Sequence, residues 1–151
     1  MASSRCGRPG STFWMPCARC CGISKVLIYT NTRRVWRYDT RGDYWVLNLK
    51  NGKLQQLGKS LPEATLMFAK FSPDASRVAY VSRNNIYVES LADGKINQLT
   101  QDGNNEIVNG TFDWVYEEEF NCRDGFRWSP DGQYIAYWQS DTEGTGWFDI
   151  I

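Results

Sequence analysis

The stretch Phe71-Ser72-Pro73-Asp74-Ala75-Ser76-Arg77-Val78-Ala79-Tyr80-Val81 decides the fold, because its pattern recurs later in the chain. Trp128-Ser129-Pro130-Asp131 repeats its first four positions, and Ile135-Ala136-Tyr137 repeats Val78-Ala79-Tyr80. Aspartate followed by small or polar residues tolerates the tight backbone of a turn, and short runs of branched and aromatic residues favour strands. Each copy therefore predicts a strand, a tight turn and a second strand.

A second internal repeat covers the segments on either side of the first copy. It aligns Trp45 with Tyr87, Val46 with Val88 and Gly52 with Gly94. Each copy again predicts a strand, a glycine turn and a strand. Four-stranded units that repeat at roughly 40 to 50 residues are the signature of a β-propeller. Aromatic residues, 15% of the chain, also favour a β-rich core over a helical bundle.

The number of repeats predicts an all-β, incomplete β-propeller of about two to three blades. Residues 25–60 supply part of one blade, 66–100 most of a second, and 126–140 the opening strands of a third. A closed propeller needs about four to eight blades. Between the second and third blades lies a long connection, residues 101–125. Long ordered loops on a rigid scaffold are where function concentrates.

That connection contains Asp113-Trp114-Val115-Tyr116-Glu117-Glu118-Glu119-Phe120, three adjacent carboxylates among bulky aromatic side chains. Aromatic packing excludes water and lowers the effective dielectric, so the pattern predicts a cation-binding site. An exposed charge run beside a packed strand is the alternative. The aromatic spacing predicts an extended entry followed by one helical turn. In such a turn at most two glutamates converge on one ligand, which leaves Glu117 to solvent or to Arg123.

From about Lys25 onward, the sequence resembles the propeller domain of the dipeptidyl-peptidase IV family of serine peptidases. The DWVYEEEF string at 113–120 is specific to that family, whereas the strands containing Ser-Pro-Asp occur in many propellers. Other matching stretches are VWRYDTRGDYWVLNL at 35–49, LMFAKFSPDASRVAYV at 66–81, NNIYVESLADGKINQLTQDG at 84–103, NGTFDWVYEEEF at 109–120 and RDGFRWSPDGQYIAYWQSD at 123–141. The family's propeller has eight blades, so the resemblance implies a fragment.

The resemblance also implies substrate-binding residues. In this family the second and third glutamates of the string bind the free N-terminal ammonium of the substrate, and these correspond to Glu118 and Glu119. An arginine after a tryptophan helps to bind the substrate's backbone carbonyl, and the matching residue is Arg37 after Trp36. The resemblance implies no cofactor, and it leaves open whether the full-length enzyme forms a homodimer.

The sequence contains no catalytic residues of this family. A Ser-His-Asp triad needs an imidazole base, and the chain has no histidine and no GxSxG nucleophile motif. The family's α/β-hydrolase domain follows the propeller, so the resemblance implies that this domain is the chain's partner. We therefore expect a fragment of the substrate-gating propeller of a serine exopeptidase that is inactive alone. The alternative is a propeller-type binding or interaction module without a peptidase.

Residues 1–24 differ in composition from residues 25–151 and predict a disordered or non-native leader before the partial propeller domain. Four of the five cysteines lie there: Cys6, Cys17, Cys20 and Cys21. Structural zinc sites usually combine two well-spaced cysteine pairs or a pair with histidines, so this pattern does not favour a metal site. No signal peptide or long apolar run occurs, although family members are usually secreted, periplasmic or membrane-anchored. This conflict suggests an altered start and leaves the compartment open.

The charge of the chain does not favour a nucleic-acid partner. The formal net charge is zero. Arg33, Arg34, Arg37 and Arg41 alternate with aromatic residues in a strand-like setting and lack a nucleic-acid motif, so nucleic acid is not the expected partner.

Asn109-Gly110-Thr111 is a glycosylation sequon by pattern, relevant only in a eukaryotic secretory pathway.

Overall fold

The structure, a computed structural model, describes residues 24–146 and the backbone of the short strand Phe13–Pro16. The regular secondary structure of the described part consists of strands and one short helix. The strands in chain order are β1 (Phe13–Pro16), β2 (Lys25–Arg34), β3 (Asp39–Asn48), β4 (Leu54–Gln56), β5 (Met67–Phe71), β6 (Arg77–Ser82), β7 (Asn85–Ser90), β8 (Ile96–Gln98), β9 (Ile107–Asn109), β10 (Phe126–Trp128), β11 (Ile135–Tyr137) and β12 (Gln139–Asp141). The helix α1 spans Trp114–Phe120 and lies between β9 and β10.

The strands form consecutive propeller blades, as predicted. One sheet has the order β1-β2-β3-β4 and the next has the order β5-β6-β7-β8, each an antiparallel meander. A third blade begins with the pair β10-β11. Strand β12 then pairs with β9 and so ties the third blade back to the end of the second. The described sheets form no closed barrel, in agreement with a partial propeller.

The register of the two full blades repeats at the aligned positions. Trp45 lies opposite Gln56 in the first blade, and Tyr87 lies opposite Gln98 in the second. The glycine turns match as well, because Gly52 and Gly94 both have positive φ, 69° and 72°. Glycine adopts that left-handed conformation without a steric penalty. The internal repeat therefore describes equivalent strands and turns.

The Ser-Pro-Asp turns also repeat in detail. Ser72 Oγ donates to Asp74 Oδ1 and Ser129 Oγ donates to Asp131 Oδ1, each at 2.6 Å. In each turn a backbone N–H two residues after the aspartate also donates to that Oδ1. These hydrogen bonds hold the pKa of Asp74 well below its ordinary value. The aspartate thus fixes the tight turn that joins the first two strands of a blade.

Two hydrophobic clusters fill the spaces between successive blades. The first lies between blades one and two and is centred on Val78, Tyr80 and Leu66. The second lies between blades two and three and contains Val81, Ile86 and Phe126. Tyr134 and Tyr137 of the third blade are largely exposed.

The structure differs from the predicted leader at four residues. Phe13–Pro16 lies within the stretch expected to be unstructured, yet its backbone pairs antiparallel with β2, Phe13 opposite Tyr29 and Pro16 opposite Val26. A strand edge presents unpaired N–H and C=O groups, and β1 satisfies those of β2. The leader cysteines, and with them the question of a zinc site, lie outside the described residues. The boundary between residues 24 and 25 stays a prediction.

Candidate functional site

Strands β2 and β3 extend beyond their sheet as a hairpin arm, residues 31–41. The arm is irregular: the strand register shifts after Thr30 and again between Arg33 and Arg34. Its tip is a bend in which the Val35 N–H donates to the Tyr38 carbonyl at 3.1 Å. Arg37 lies in that bend. The arm thus holds an arginine away from the blade core, where it can reach another segment.

Helix α1 supplies the carboxylates, and its ends are fixed by capping residues. Asp113 at the N-cap has an extended backbone, and its Oδ1 accepts a hydrogen bond from the Tyr116 N–H at 3.0 Å. Asn121 at the C-cap is left-handed, with φ 54°. The predicted helical turn is therefore present, but it begins earlier than expected, at Trp114. Trp114 and Tyr116 belong to the helix and not to an extended entry.

An aromatic cluster supports one face of the helix, as the sequence predicted. The Tyr116 ring lies 5.3 Å from that of Phe112, 5.6 Å from that of Phe120 and 6.1 Å from that of Trp138, measured between ring centroids. Trp138 comes from the segment between β11 and β12, so the third blade helps to hold the helix. The helix is anchored by packing as well as by its caps.

The three glutamates have three different environments, because successive residues of a helix point about 100° apart. Glu117 is buried, with 7% of its surface exposed. Glu118 is partly buried, and Glu119 is exposed. The expectation that Glu117 is left to solvent is therefore wrong. Its Oε1 and the Nη1 of Arg123 are both buried without a hydrogen-bond partner in the described part of the chain, where the two side chains form no ion pair.

Arg37 and Glu118 meet across the gap between the arm and the helix. Arg37 Nε lies 2.5 Å from Glu118 Oε1. The arginine side chain is 74% exposed and the glutamate side chain 16% exposed, so the pair sits at the surface with its carboxylate turned inward. Glu119 forms no hydrogen bond or ion pair within residues 24–146. The structure therefore joins two of the three predicted site residues, and it leaves the third exposed beside them.

Tyr38 and Arg123, which the sequence did not assign to the substrate site, hold the arm against the segment after the helix. The Arg123 guanidinium lies over the Tyr38 ring, 4.0 Å from its centroid. Thr111 Oγ1 donates to the Arg123 carbonyl at 3.0 Å, which fixes the backbone there. Their signal in the sequence was weak, because a lone tyrosine and a lone arginine far apart in the chain do not indicate a contact.

The described residues contain no group of three or more His, Cys, Asp or Glu side chains placed to hold a metal ion. Nor does any helix among them have the length and apolarity that crossing a bilayer requires. What the arrangement offers at the surface is the ion pair of Arg37 with Glu118, followed in the helix by the exposed Glu119. Carboxylates bind cations, and a guanidinium donates to a carbonyl or a carboxylate.

Comparison with known proteins identifies the family. The family described as "Dipeptidyl peptidase IV (DPP IV) N-terminal region" matches residues 22–151 of this chain. The chain belongs to the dipeptidyl peptidase IV family. The match covers most of the chain and includes the arm, helix α1 and strands β2 to β12.

Two fungal relatives and one solved structure of this family agree with that assignment. "Probable dipeptidyl-aminopeptidase B" of Podospora anserina is 39% identical over 123 residues, 81% of this chain and 13% of that protein. The protein of the same name from Chaetomium globosum is 34% identical over 129 residues, covering 85% and 14%. The crystal structure of Porphyromonas gingivalis dipeptidyl peptidase 4 is similar with a TM-score of 0.72 and 31% identity, covering 79% and 17%. The chain thus spans about a seventh of the length of these dipeptidyl peptidase IV relatives.

Proposed function

We propose that this chain is the part of a dipeptidyl peptidase IV-type propeller that binds the N-terminus of a peptide substrate. Glu118 and Glu119 bind the substrate's terminal ammonium, and Arg37 donates to a substrate carbonyl. In the complete enzyme this anchoring serves the release of N-terminal dipeptides. Residues 25–151 form the propeller segment, and the partner is the parent protein's α/β-hydrolase domain.

The observation that supports the proposal is the contact between Arg37 and Glu118. The two residues lie far apart in the sequence, on the arm and on helix α1, yet their side chains form an ion pair at 2.5 Å. This geometry puts a donor for a carbonyl beside an acceptor for an ammonium. Those two groups lie next to each other at the N-terminus of every peptide.

The chemistry of a peptide N-terminus fits such a site. A terminal amine has an unperturbed pKa of about 7.7 to 8.0, so near neutral pH most of it is an ammonium. Two neighbouring carboxylates favour that charged form. An extended chain advances about 3.3 to 3.6 Å per residue, so an anchor some 7 Å from the scissile bond admits two residues and excludes longer N-terminal extensions. Glu118 and Glu119 would thus measure the length of the released fragment.

The test uses the full-length protein that contains this segment. We expect the flanking coding sequence to encode a GxSxG motif, an aspartate and a histidine downstream, in that order. The purified enzyme is then assayed with an X-Pro substrate whose N-terminus is either free or acetylated. Because acetylation removes the positive charge, it should abolish most of the hydrolysis. An equal rate on both substrates would rule out the ammonium anchor, and a downstream sequence with further blades but no hydrolase would favour a binding module.

A further inference from the structure

Two neighbouring residues of the arm contact the helix and the segment that follows it. Arg37 forms the ion pair with Glu118. The next residue, Tyr38, lies under the guanidinium of Arg123, whose central carbon is 4.0 Å from the ring centroid. Arg37 lies inside the bend that is closed by the hydrogen bond from the Val35 N–H to the Tyr38 carbonyl. Whatever holds Tyr38 therefore also determines where the guanidinium of Arg37 can reach.

The ion pair by itself is a weak constraint on the arm. The Arg37 side chain is 74% exposed, and ion pairs of exposed groups contribute little, because water screens them and ordering long side chains costs entropy. The arm is also irregular, with register shifts after Thr30 and after Arg33. In the proposed function the substrate ammonium also binds Glu118 and so competes with Arg37. A second attachment is therefore needed to keep the arginine in place while substrate is bound.

The contact between Arg123 and Tyr38 has the properties of such an attachment. Nη1 of Arg123 is buried, and within the described residues the guanidinium forms no hydrogen bond or ion pair. A cation gains more from the face of an aromatic ring when water is excluded from it. The Tyr38 ring is thus the main interaction that the described part of the chain offers this charge.

The backbone that carries Arg123 is itself fixed to helix α1. The Arg123 carbonyl accepts a hydrogen bond from Thr111 Oγ1 at 3.0 Å. The Cys122 N–H donates to the carbonyl of Tyr116, a residue of the helix, at 3.1 Å. Arg123 and the glutamates of the helix therefore belong to one connected segment, to which the arm is attached at two points.

We propose that Arg123 is a positioning residue for the peptide N-terminus: by holding the ring of Tyr38, it keeps Arg37 directed towards the substrate carbonyl beside Glu118. The inference rests on the proposed function, since it needs Arg37 to donate to the substrate. Arg123 does not contact the substrate, and its effect on catalysis passes through Arg37. A residue that only stabilised the fold would act whether or not Arg37 is present.

The experiment measures kcat and KM of the full-length enzyme on an X-Pro substrate, with Arg123→Gln made in the wild type and in Arg37→Ala. In the wild type we expect Arg123→Gln to lower kcat/KM by about 5-fold, mainly through a higher KM, because the substrate carbonyl that Arg37 contacts is not the reacting one. In Arg37→Ala the same substitution should have no further effect. The matched control is Arg127→Gln on β10, an arginine whose side chain is 65% exposed and contacts Asp124. It should leave kcat/KM unchanged in both backgrounds.

Substitutions of Tyr38 test the other side of the contact. Tyr38→Phe keeps the ring and should keep the wild-type kcat/KM, whereas Tyr38→Leu should reproduce the loss seen in Arg123→Gln. The double variant should lose no more than either single variant. Tyr38 is 49% exposed on the arm, so its substitution spares the core. Tyr38→Leu, made in the wild type and in Arg37→Ala, therefore decides the question if Arg123→Gln does not fold.

The outcomes separate this inference from the proposed function. If Arg37→Ala lowers kcat/KM but Arg123→Gln does not, the positioning role is wrong and the proposed substrate site stands. The same conclusion follows if Arg123→Gln lowers kcat/KM by an equal factor with and without Arg37, or if the losses of Arg123→Gln and Tyr38→Leu add up. If Arg37→Ala itself leaves kcat/KM unchanged, Arg37 does not bind the substrate, and its proposed role is wrong together with this inference.

Discussion

The hydroxyl of Tyr80 donates a hydrogen bond of 3.0 Å to Glu89 Oε2 on the neighbouring strand of the same blade. The same oxygen accepts the Gly58 N–H at 2.8 Å, from the segment that follows the preceding blade. Glu89 is buried, with 3% of its surface exposed. One carboxylate therefore connects blade two to blade one from inside the protein.

The hydrogen bonds of the Glu89 carboxylate predict losses of stability of different size for two substitutions. Glu89→Ala leaves the Tyr80 hydroxyl and the Gly58 N–H without their acceptor and should lower the free energy of unfolding by about 2 kcal/mol or more. Glu89→Gln retains a carbonyl oxygen as acceptor and should cost much less. Both are measured by chemical denaturation of a protein carrying the complete propeller. Equal losses in the two variants would contradict the hydrogen-bond argument.

The burial of Glu89 also makes the stability of the protein depend on pH. Burial raises the pKa of the Glu89 carboxyl above its ordinary value. The native state therefore binds the proton more tightly than the unfolded state, and this residue's contribution to stability falls as pH rises from about 4.5 through the folded pKa. Glu89→Gln lacks this titration. Relative to the wild type, the Gln variant should gain stability as the pH rises from acidic to neutral. If the difference in free energy of unfolding between the two proteins stayed constant with pH, burial would not shift the pKa of this carboxyl.

The burial of Lys70 predicts a change of stability at alkaline pH. Its ammonium contacts Asp124 and lies 3.6 Å from the centroid of the Phe126 ring. Burial lowers the pKa of Lys70 to about 8, against the opposing effect of Asp124. The unfolded state then holds more protons than the native state above pH 8, so the contribution of Lys70 to stability rises from about pH 8 to pH 10.5. An NMR titration of the Lys70 amine should have its midpoint near 8, and a midpoint at 10.5 would disprove the assignment.

The sequon at Asn109 is predicted to carry no glycan in the folded protein. Asn109 is completely buried. Its Nδ2 donates to the Asn84 carbonyl at 3.1 Å and to Asp102 at 2.9 Å, and its Oδ1 accepts from Gln139 at 2.8 Å. A glycan on Nδ2 would displace this network. After secretion from a eukaryotic host, the mass of the peptide containing Asn109 should not change on glycosidase treatment. A glycan found on the folded, soluble protein would refute the buried placement.

The fold could be predicted from the sequence because its repeats are local. The alignment of Trp45 with Tyr87 placed equivalent strands correctly, since both lie in a hairpin whose register is fixed by a glycine turn. The Ser-Pro-Asp stretches gave the hairpins of blades two and three for the same reason. The position of Phe13–Pro16 could not be predicted, because pairing with the edge of β2 depends on backbone groups and leaves little mark in the side-chain pattern.

The candidate site was less predictable. Arg37 and Glu118 were assigned by family resemblance, and no spacing rule would have brought them together across the arm. The burial of Glu117 depended on where helix α1 begins, because a shift of one residue turns each side chain by about 100°. The sequence allowed a later start, and the cap at Asp113 set the earlier one.

Catalysis gives the simplest prediction for the chain as it stands. The chain has no histidine to act as a general base and no GxSxG nucleophile motif. Incubated with an X-Pro dipeptidyl substrate, the purified chain should release no product above background. The control is the same preparation after heat denaturation. Hydrolysis that persists through purification and is lost on heating would show that the chain carries another catalytic group.

Substitutions at the proposed ammonium anchor should reduce kcat/KM in the full-length enzyme in a defined order. Glu118→Ala removes a carboxylate whose side chain is only 16% exposed and leaves the substrate ammonium half paired. Loss of one partner of a buried ion pair costs about 3 to 5 kcal/mol, so kcat/KM should fall by about 10²-fold or more. We expect a loss of the same order for Glu119→Ala once the substrate covers the exposed carboxylate.

Arg37→Ala should reduce kcat/KM less than either glutamate substitution does. Its side chain is 74% exposed, and ion pairs of exposed groups contribute little. Arg37 also orients Glu118, so Arg37→Lys, which keeps the charge but not the planar guanidinium, should recover only part of the loss. The comparison is made with free and N-acetylated X-Pro substrates on each variant. If the glutamate variants cleave the free peptide at the wild-type rate, or if Arg37→Ala costs more than Glu118→Ala, the carboxylates are not the main anchor of the substrate ammonium.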